Sequence, residues 1–245
     1  MSLKHINFEK YKTVPVTYFK KFDRVADSFD IINKIGGSWA LTKHGWPTCE
    51  HGNLDLVIQF LDENCSGEID KRDGVNCDKG NITAVFICEE DHDKKFRSEH
   101  NTIKESDFNN YAYYEGIIVY VSRNSFRVCE PFTSGEHLMT DEIIKFNHTF
   151  DYLPLEDILL AENINMDDTS EIDSAYAELR WKEMSSKIGG VINSTQYDPK
   201  LKHEKFGKHV VQLNSDDIPF LHLADSGMAH IYEHGNRFMF EWDCY

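Results

Sequence analysis

The sequence predicts a mainly β protein, β-rich α+β in class: one pseudo-symmetric domain over residues 1–245, built from two duplicated β units with a few short helices. Three observations predict it. Lys34-Ile35-Gly36-Gly37 recurs letter for letter as Lys187-Ile188-Gly189-Gly190, at an offset of 153 residues. In both copies a Gln follows 22 residues after the second Gly, in matching company: Val57-Ile58-Gln59-Phe60 and Val210-Val211-Gln212-Leu213. The apolar runs are strand-sized, rich in Val, Ile, Phe and Tyr, and bounded by Gly, Asp and Asn.

The repeats are placed at about 31–130 and 184–245. Each opens with a double glycine that reads as a turn, because Gly accepts φ > 0 without strain. Gly36, Gly37, Gly189 and Gly190 are not followed by G-x-G-x-x-G or G-K-[ST], so they are turn glycines and not a phosphate cradle. An apolar strand then ends near the Gln. A second strand is launched from an Asp-x-Gly turn, Asp78-Lys79-Gly80 before Ile82-Thr83-Ala84-Val85-Phe86-Ile87 and Asp225-Ser226-Gly227 before Met228-Ala229-His230-Ile231-Tyr232. The Gln-to-Asp spacing is six residues longer in the first copy, which an inserted loop absorbs. Further strands are expected over 112–120, 125–128 and 237–242, with turns at Ser122-Arg123-Asn124 and His234-Gly235-Asn236. A helix is expected after Asp168 as N-cap, with Ile172, Ala175, Tyr176, Leu179 and Met184 as a core-facing stripe. A shorter one is expected over 155–160, behind Pro154. Gln59 and Gln212 must satisfy their amides or forfeit about 1–3 kcal/mol each, and are read as ties for the paired turns ahead of a shared peptide-binding role.

Charge limits the partners. With 26 Lys+Arg against 42 Asp+Glu the net charge is −16, which argues against duplex nucleic acid, whose phosphates need basic contacts. A basic protein suits this chain better, although acidity also serves plain solubility. The first residues lack the unbroken apolar core of a secretory signal. The longest apolar runs, such as 116–121, are far short of a bilayer span. No membrane and a cytoplasmic location are therefore expected. Cys49, Cys65, Cys77, Cys88, Cys129 and Cys244 form no C-x-x-C pair and read as reduced thiols.

No catalytic, cofactor-binding or metal residue is assigned from sequence. H-E-x-x-H and a nucleophile elbow are both absent. Asp91-His92-Asp93 reads as part of a solvated charged loop. His230 and His234 have helical metal spacing, but the strand-and-turn pattern is expected to set them on opposite sides of a bend. The stretch from Asp62 to Asp73 matches a calcium loop: oxygen side chains at loop positions 1, 3, 5 and 9, Gly67 at position 6, Ile69 at 8 and Asp73 at 12. Against it, Asp73 is shorter than the usual Glu and the flanking helices are missing.

Taken in order, Lys-Ile-Gly-Gly, Trp46-Pro47-x-Cys49, the run Leu54 to Gln59, the second Lys-Ile-Gly-Gly, Asp225-Ser226-Gly227 and the terminal Phe240-x-Trp242-x-Cys244-Tyr245 resemble the YwqG-like family of bacterial proteins of unknown function. The resemblance covers about 31–245, and its signature on this chain is Gly36, Gly37, Gln59, Asp78, Gly80, Gly189, Gly190, Gln212, Asp225, Gly227 and Trp242. It implies a mainly β, roll-like fold with an internal duplication. The family is similar to a wider group that includes the eukaryotic programmed cell death protein 2, implicated in ribosome biogenesis as an escort for a ribosomal protein, and bacterial members have been proposed as toxin immunity proteins. The resemblance thus implies a protein-binding module, immunity-protein or chaperone-like, engaging a basic partner; the alternative is a calcium or small-ligand binder using 62–73. An enzyme is unsupported. One departure stands out: where relatives often place a second Cys after Trp-Pro-x-Cys, this chain has Cys49-Glu50-His51-Gly52. No Cys-x-x-Cys knuckle is available, and Cys49 with His51 is half a tetrahedral zinc site.

Overall fold

The structure, a computed structural model, describes residues 6–25, 33–37, 39–42, 45–61, 68–70, 74–76, 82–90, 110–123, 127–129, 142–164, 170–181, 185–193, 207–218 and 221–244. After a 3-10 turn at Phe8–Tyr11 come β1 (Lys12–Val25), β2 (Lys34–Ile35), β3 (Ala40–Thr42), β4 (Thr48–Cys49), β5 (Gly52–Asn53), β6 (Asp55–Leu61), β7 (Glu68–Asp70), β8 (Gly74–Asn76) and β9 (Ile82–Cys88). The chain continues through β10 (Tyr111–Tyr114), β11 (Ile117–Arg123), β12 (Arg127–Cys129), β13 (Glu142–Tyr152), the helices α1 (Leu155–Ala161) and α2 (Ser170–Trp181), and then β14 (Lys187–Gly189), β15 (Lys208–Asn214), β16 (Met228–His234) and β17 (Arg237–Asp243). The protein is mainly β, as its sequence predicts.

Eleven strands form one sheet in the order β10-β11-β9-β6-β2-β13-β1-β14-β15-β16-β17. Every pairing among the described strands is antiparallel. The two edge strands, β10 and β17, lie against each other, so the sheet curls into a roll that covers its own edges. About the central β13–β1 pair, the series β2-β6-β9-β11 is mirrored by β14-β15-β16-β17.

The mirroring is kept residue by residue. Lys34 pairs with Gln59 and Ile35 with Ile58; in the other half Lys187 pairs with Gln212 and Ile188 with Val211. Both halves carry a bulge at the same place, between Leu56 and Ile58 on β6 and between His209 and Val211 on β15. A bulge adds one residue and redirects the side chains beyond it, so two bulges in one register are a shared construction. The inner face of the roll is one hydrophobic core, with Ile35, Ile58, Val85 and Val119 from the first half packed with Val211, Leu213, Ile231 and Phe240 from the second.

Several local expectations need correction. The segment 112–120 is not one strand: it breaks into the β10–β11 hairpin at Glu115 and Gly116, with φ of 47° and 86°, the two positive values a tight hairpin turn requires. The expected turn at Ser122-Arg123 is instead the end of β11, where Ser122 and Arg123 pair with Ala84 and Thr83. Gln59 and Gln212 lie inside their strands, with two residues of strand beyond each. The inserted loop carries its own hairpin, β7 with β8. Strands near 127–129 and 237–243, the Gly235-Asn236 turn and both helices stand close to where the sequence places them. Asp168 and Met184 lie outside the described residues.

The central β1–β13 pair is absent from the sequence reading. Its first strand, Lys12 to Val25, mixes Lys, Thr and Asp with apolar residues and contains Pro15, which normally marks an edge strand. Here Pro15 is accommodated in the interior of the sheet. Its carbonyl accepts the N–H of Gly190 at 3.2 Å, so the proline serves the ladder as an acceptor.

Candidate functional site

The signature residues build the two units. Gln59 and Gln212 are fully buried, and their side-chain oxygens accept backbone N–H groups from the segment that follows each double glycine: Leu41 at 2.6 Å and Asn193 at 2.9 Å. Gln212 also donates to the Ser185 carbonyl at 3.1 Å. Gly36 and Gly189 have φ of 68° and 66°. At Gly190, with φ of 70°, a Cβ would stand 2.7 Å from Val16 Cγ2 and 2.9 Å from Asp151 Oδ2. Gly227 is tighter still, since a Cβ there would meet the Leu223 carbonyl oxygen at 1.9 Å. Asp225 is exposed beside it, and Trp242 packs against the shared core. Asp78 and Gly80 lie outside the described residues.

The lysine of each Lys-Ile-Gly-Gly is a fully buried charge, which the sequence reading does not foresee. Lys34 Nζ sits 3.8 Å above the Trp39 ring. Lys187 Nζ meets Asp151 at 2.8 Å and donates to the Val191 carbonyl at 2.6 Å. Arg180, from the last turn of α2, joins the other oxygen of Asp151 and donates to the carbonyls of Val191 and Ile192. Burial pushes the Asp151 carboxyl up, but Lys187 and Arg180 outweigh it and hold the group below its ordinary value.

The outer face of the first half carries a group of potential ligands. On β9 the side chains alternate: Val85 and Ile87 enter the shared core, while Ala84, Phe86 and Cys88 face outward beneath Trp46, Leu54 and Leu56. Trp46 stands edge-on to Phe86 at 5.1 Å and donates Nε1–H to the Leu54 carbonyl at 2.7 Å. Tyr111 donates its hydroxyl to the Thr48 carbonyl at 3.2 Å. These contacts pin the β4–β5 hairpin, whose turn is Glu50-His51 and whose Gly52 has φ of 122°. Cys49, His51 and Cys88 are thereby brought together, with their ligand atoms all within 4.8 Å of one another. Cys88 Sγ lies 3.9 Å from His51 Nδ1. The hydrogen bond from Cys88, helped by the N–H groups of His51 and Gly52, lowers the Cys49 thiol to about 7, while the same contact and burial push Cys88 up. The half site read from Cys49 and His51 therefore acquires a third donor, from a strand 39 residues on in the chain. Together the three side chains are a potential donor set. Nothing in the sequence near Cys88 signals this, because the partner is supplied by sheet register.

The corresponding face of the second half is different. His209 occupies the place of Leu56 just before the bulge, His230 faces Gln212 as Ala84 faces Gln59, and Tyr232 stands where Phe86 does. His209, His230, Tyr232, Glu241 and Asp243 are all buried. Tyr232 donates its hydroxyl to Glu241 at 2.7 Å, and burial followed by the nearby Glu241 charge pushes the phenol well up. His230 Nε2 lies 3.8 Å from Asp243 Oδ1, and the rings of His209 and His230 are 5.9 Å apart. His230 and His234 are not divided by a bend, because β16 runs straight through both; His230 is buried, whereas His234 is exposed at the strand end, and they form no common site.

A third feature is the helical arm. Tyr176 of α2 donates to the Leu153 carbonyl at 2.6 Å, and Tyr11 donates to Glu162 at 2.6 Å, which dock the arm against the β1–β13 pair. Asp157, Glu171, Asp173 and Glu178 point to solvent. Arg180 is the one Lys, Arg or His between residues 155 and 181, and it is buried against Asp151. Leu160 and Phe150 are 77% and 51% exposed, the large apolar side chains most open to water among the described residues.

The calcium pattern falls mostly outside the described residues, which include only 68–70 of it. The residues directly after it, Gly74–Asn76, form a strand where an exit helix would be needed. Asp91-His92-Asp93 also lies outside. Among the described residues no helix is long and apolar enough to cross a membrane. No protein-family model matches the chain, and no curated protein matches it.

Proposed function

We propose that this chain is a cytoplasmic protein-binding module, of the immunity-protein or chaperone-like kind, that engages a basic partner through its helical arm. The observation that carries this reading is the one-sided charge of residues 155–181, whose exposed carboxylates face solvent while their one cation is withdrawn into the interior. Opposite potential accelerates encounter and selects the partner, and the exposed Leu160 and Phe150 supply apolar area that charge alone lacks. The ordered motifs that resemble the YwqG-like family support the same reading.

Affinity capture from the source cell at low ionic strength tests it. The wild-type chain is expected to retain a basic protein that elutes as salt is raised, because exposed charge pairs are screened over about 10 Å at 0.1 M. A variant carrying Asp157→Lys, Glu171→Lys, Asp173→Lys and Glu178→Lys should retain none of it. Equal recovery by both proteins would contradict the proposal.

A further inference from the structure

The structure assigns Cys49, His51 and Cys88 as a binding site for a thiophilic divalent cation of the zinc class, for which they are the three ligands among the described residues.

The donor set decides the class of metal. Two sulfurs and an imidazole select zinc and its soft neighbours, whereas calcium and magnesium take oxygen ligands. The spacing is close to what such an ion demands. With Zn–S near 2.3 Å and Zn–N near 2.0–2.1 Å, a tetrahedral ion sets its ligands roughly 3.5–3.8 Å apart. Cys88 Sγ and His51 Nδ1 are already 3.9 Å apart, and no pair of ligand atoms exceeds 4.8 Å, so closure needs side-chain adjustments of under about 1 Å.

The backbone around the sulfurs is an independent indication. Cys49 Sγ is approached by the N–H groups of His51 and Gly52, and Cys88 Sγ by that of Glu90, two or three residues on in each case. Main-chain donors turned on both sulfurs fix their direction, as the outer shell of a metal site does. The left-handed Gly52 permits this turn; a Cβ there would meet nothing within 4 Å, so the constraint is conformational and not spatial.

The supports are rigid. Cys88 ends an interior strand of the large sheet, and the hairpin carrying Cys49 and His51 is anchored by Trp46 and Tyr111. Sites on elements held this way keep their geometry without the ion. Cys88 is 8% exposed while His51 is open to water, so solvent or an incoming ligand reaches the ion from the His51 side. Two thiolates and a neutral imidazole balance a divalent charge, and binding releases the thiol protons.

The test uses the full chain, reduced and stripped of metal, titrated with Co²⁺ as a spectroscopic probe and with Zn²⁺ against a chromophoric chelator. One equivalent of cobalt should produce intense tetrahedral d–d bands with thiolate charge-transfer absorption, and one equivalent of zinc should displace it. His51→Ala alters an exposed side chain and should leave the circular dichroism spectrum unchanged. It should nonetheless weaken zinc binding by at least roughly 10–100-fold, the loss seen when even an outer-shell partner is removed. Cys88→Ser should weaken the charge-transfer band, since one thiolate of the two is lost, and Cys244→Ser should leave the titration as in wild type. Weak octahedral cobalt absorption, a titration unaffected by His51→Ala and Cys88→Ser, or a Cys49–Cys88 disulfide whose reduced form binds no zinc would overturn the assignment. None of these outcomes bears on the acidic arm, so this site and the proposed partner binding stand or fall separately.

Discussion

The two halves of the sheet agree in register and in the core they share, and they differ at a group of outer-face positions. Both place a Lys-Ile strand, a double glycine, a bulge and a buried Gln in the same register, and the inner faces of both feed one core. Outward, Leu56, Ala84 and Phe86 of the first half give way to His209, His230 and Tyr232 in the second. The shared core explains the asymmetry. Interiors are packed to crystal density, so a change on the inner face is felt by both halves at once, whereas each outer face answers only to its own covering segment. Divergence concentrates where the coupling is weakest, and both unusual side-chain groups, the thiol–imidazole triad and the His-Tyr-Glu-Asp cluster, sit on outer faces.

The largest test of this comparison is the buried carboxylate of Asp151, shared by Lys187 and Arg180. Asp151→Asn leaves Lys187 and Arg180 without their counter-charge, and urea unfolding should record a loss of about 3–5 kcal/mol. The same group gives a pH signature. Its folded value lies below the ordinary 3.8, so the stabilisation is complete above that pH and disappears as pH falls through the lower folded value. The Asn variant should show a flatter stability profile in that acid window; an unchanged slope would remove Asp151 from the account.

Gly190→Ala comes next. The new Cβ collides with Val16 and Asp151 and keeps a left-handed backbone, and unfolding should register about 1–3 kcal/mol from overpacking with roughly 1–2 more from the backbone. Gly235→Ala is the contrasting variant, since its φ is 62° but its surroundings are open, and it should show only the backbone portion. Gln59→Ala and Gln212→Ala sharpen the likeness of the halves. Each orphans one buried N–H, Leu41 or Asn193, and each should lose about 1–3 kcal/mol by the same measurement. A loss confined to one of them would mean that the duplicated amide no longer does the same work twice. Smallest is Leu160→Ser, which should leave stability within about 0.5 kcal/mol while reducing partner capture, because its side chain is exposed.

Much of the fold was legible because the duplication leaves its mark on residues that need special backbone or buried partners. Gly36, Gly37, Gly189, Gly190, Gln59 and Gln212 are unusual letters in apolar surroundings, and their spacing alone predicts paired units. The β1–β13 centre was illegible for the opposite reason: a strand bearing Lys and Thr around Pro15 offers neither an apolar run nor clean alternation. The triad was half visible. Cys49 and His51 are neighbours in sequence, but Cys88 joins them only through the register of β9 and the docking of Trp46, information that no local pattern carries. The burial of Lys187 was hidden because its counter-charge, Asp151, comes from the central pair and not from the repeat itself, and that carboxylate is shared with Arg180 of the second helix.

The central claim is that both halves close over one core and therefore form one folding unit. Two single-tryptophan proteins test it most directly, one keeping only Trp46 in the first half and the other only Trp242 in the second, each unfolded in urea and followed by fluorescence and circular dichroism. The account predicts coincident transitions with the same midpoint and slope at both reporters, as a two-state domain requires. A midpoint at Trp46 separated from that at Trp242, with circular dichroism tracing two steps, would contradict it.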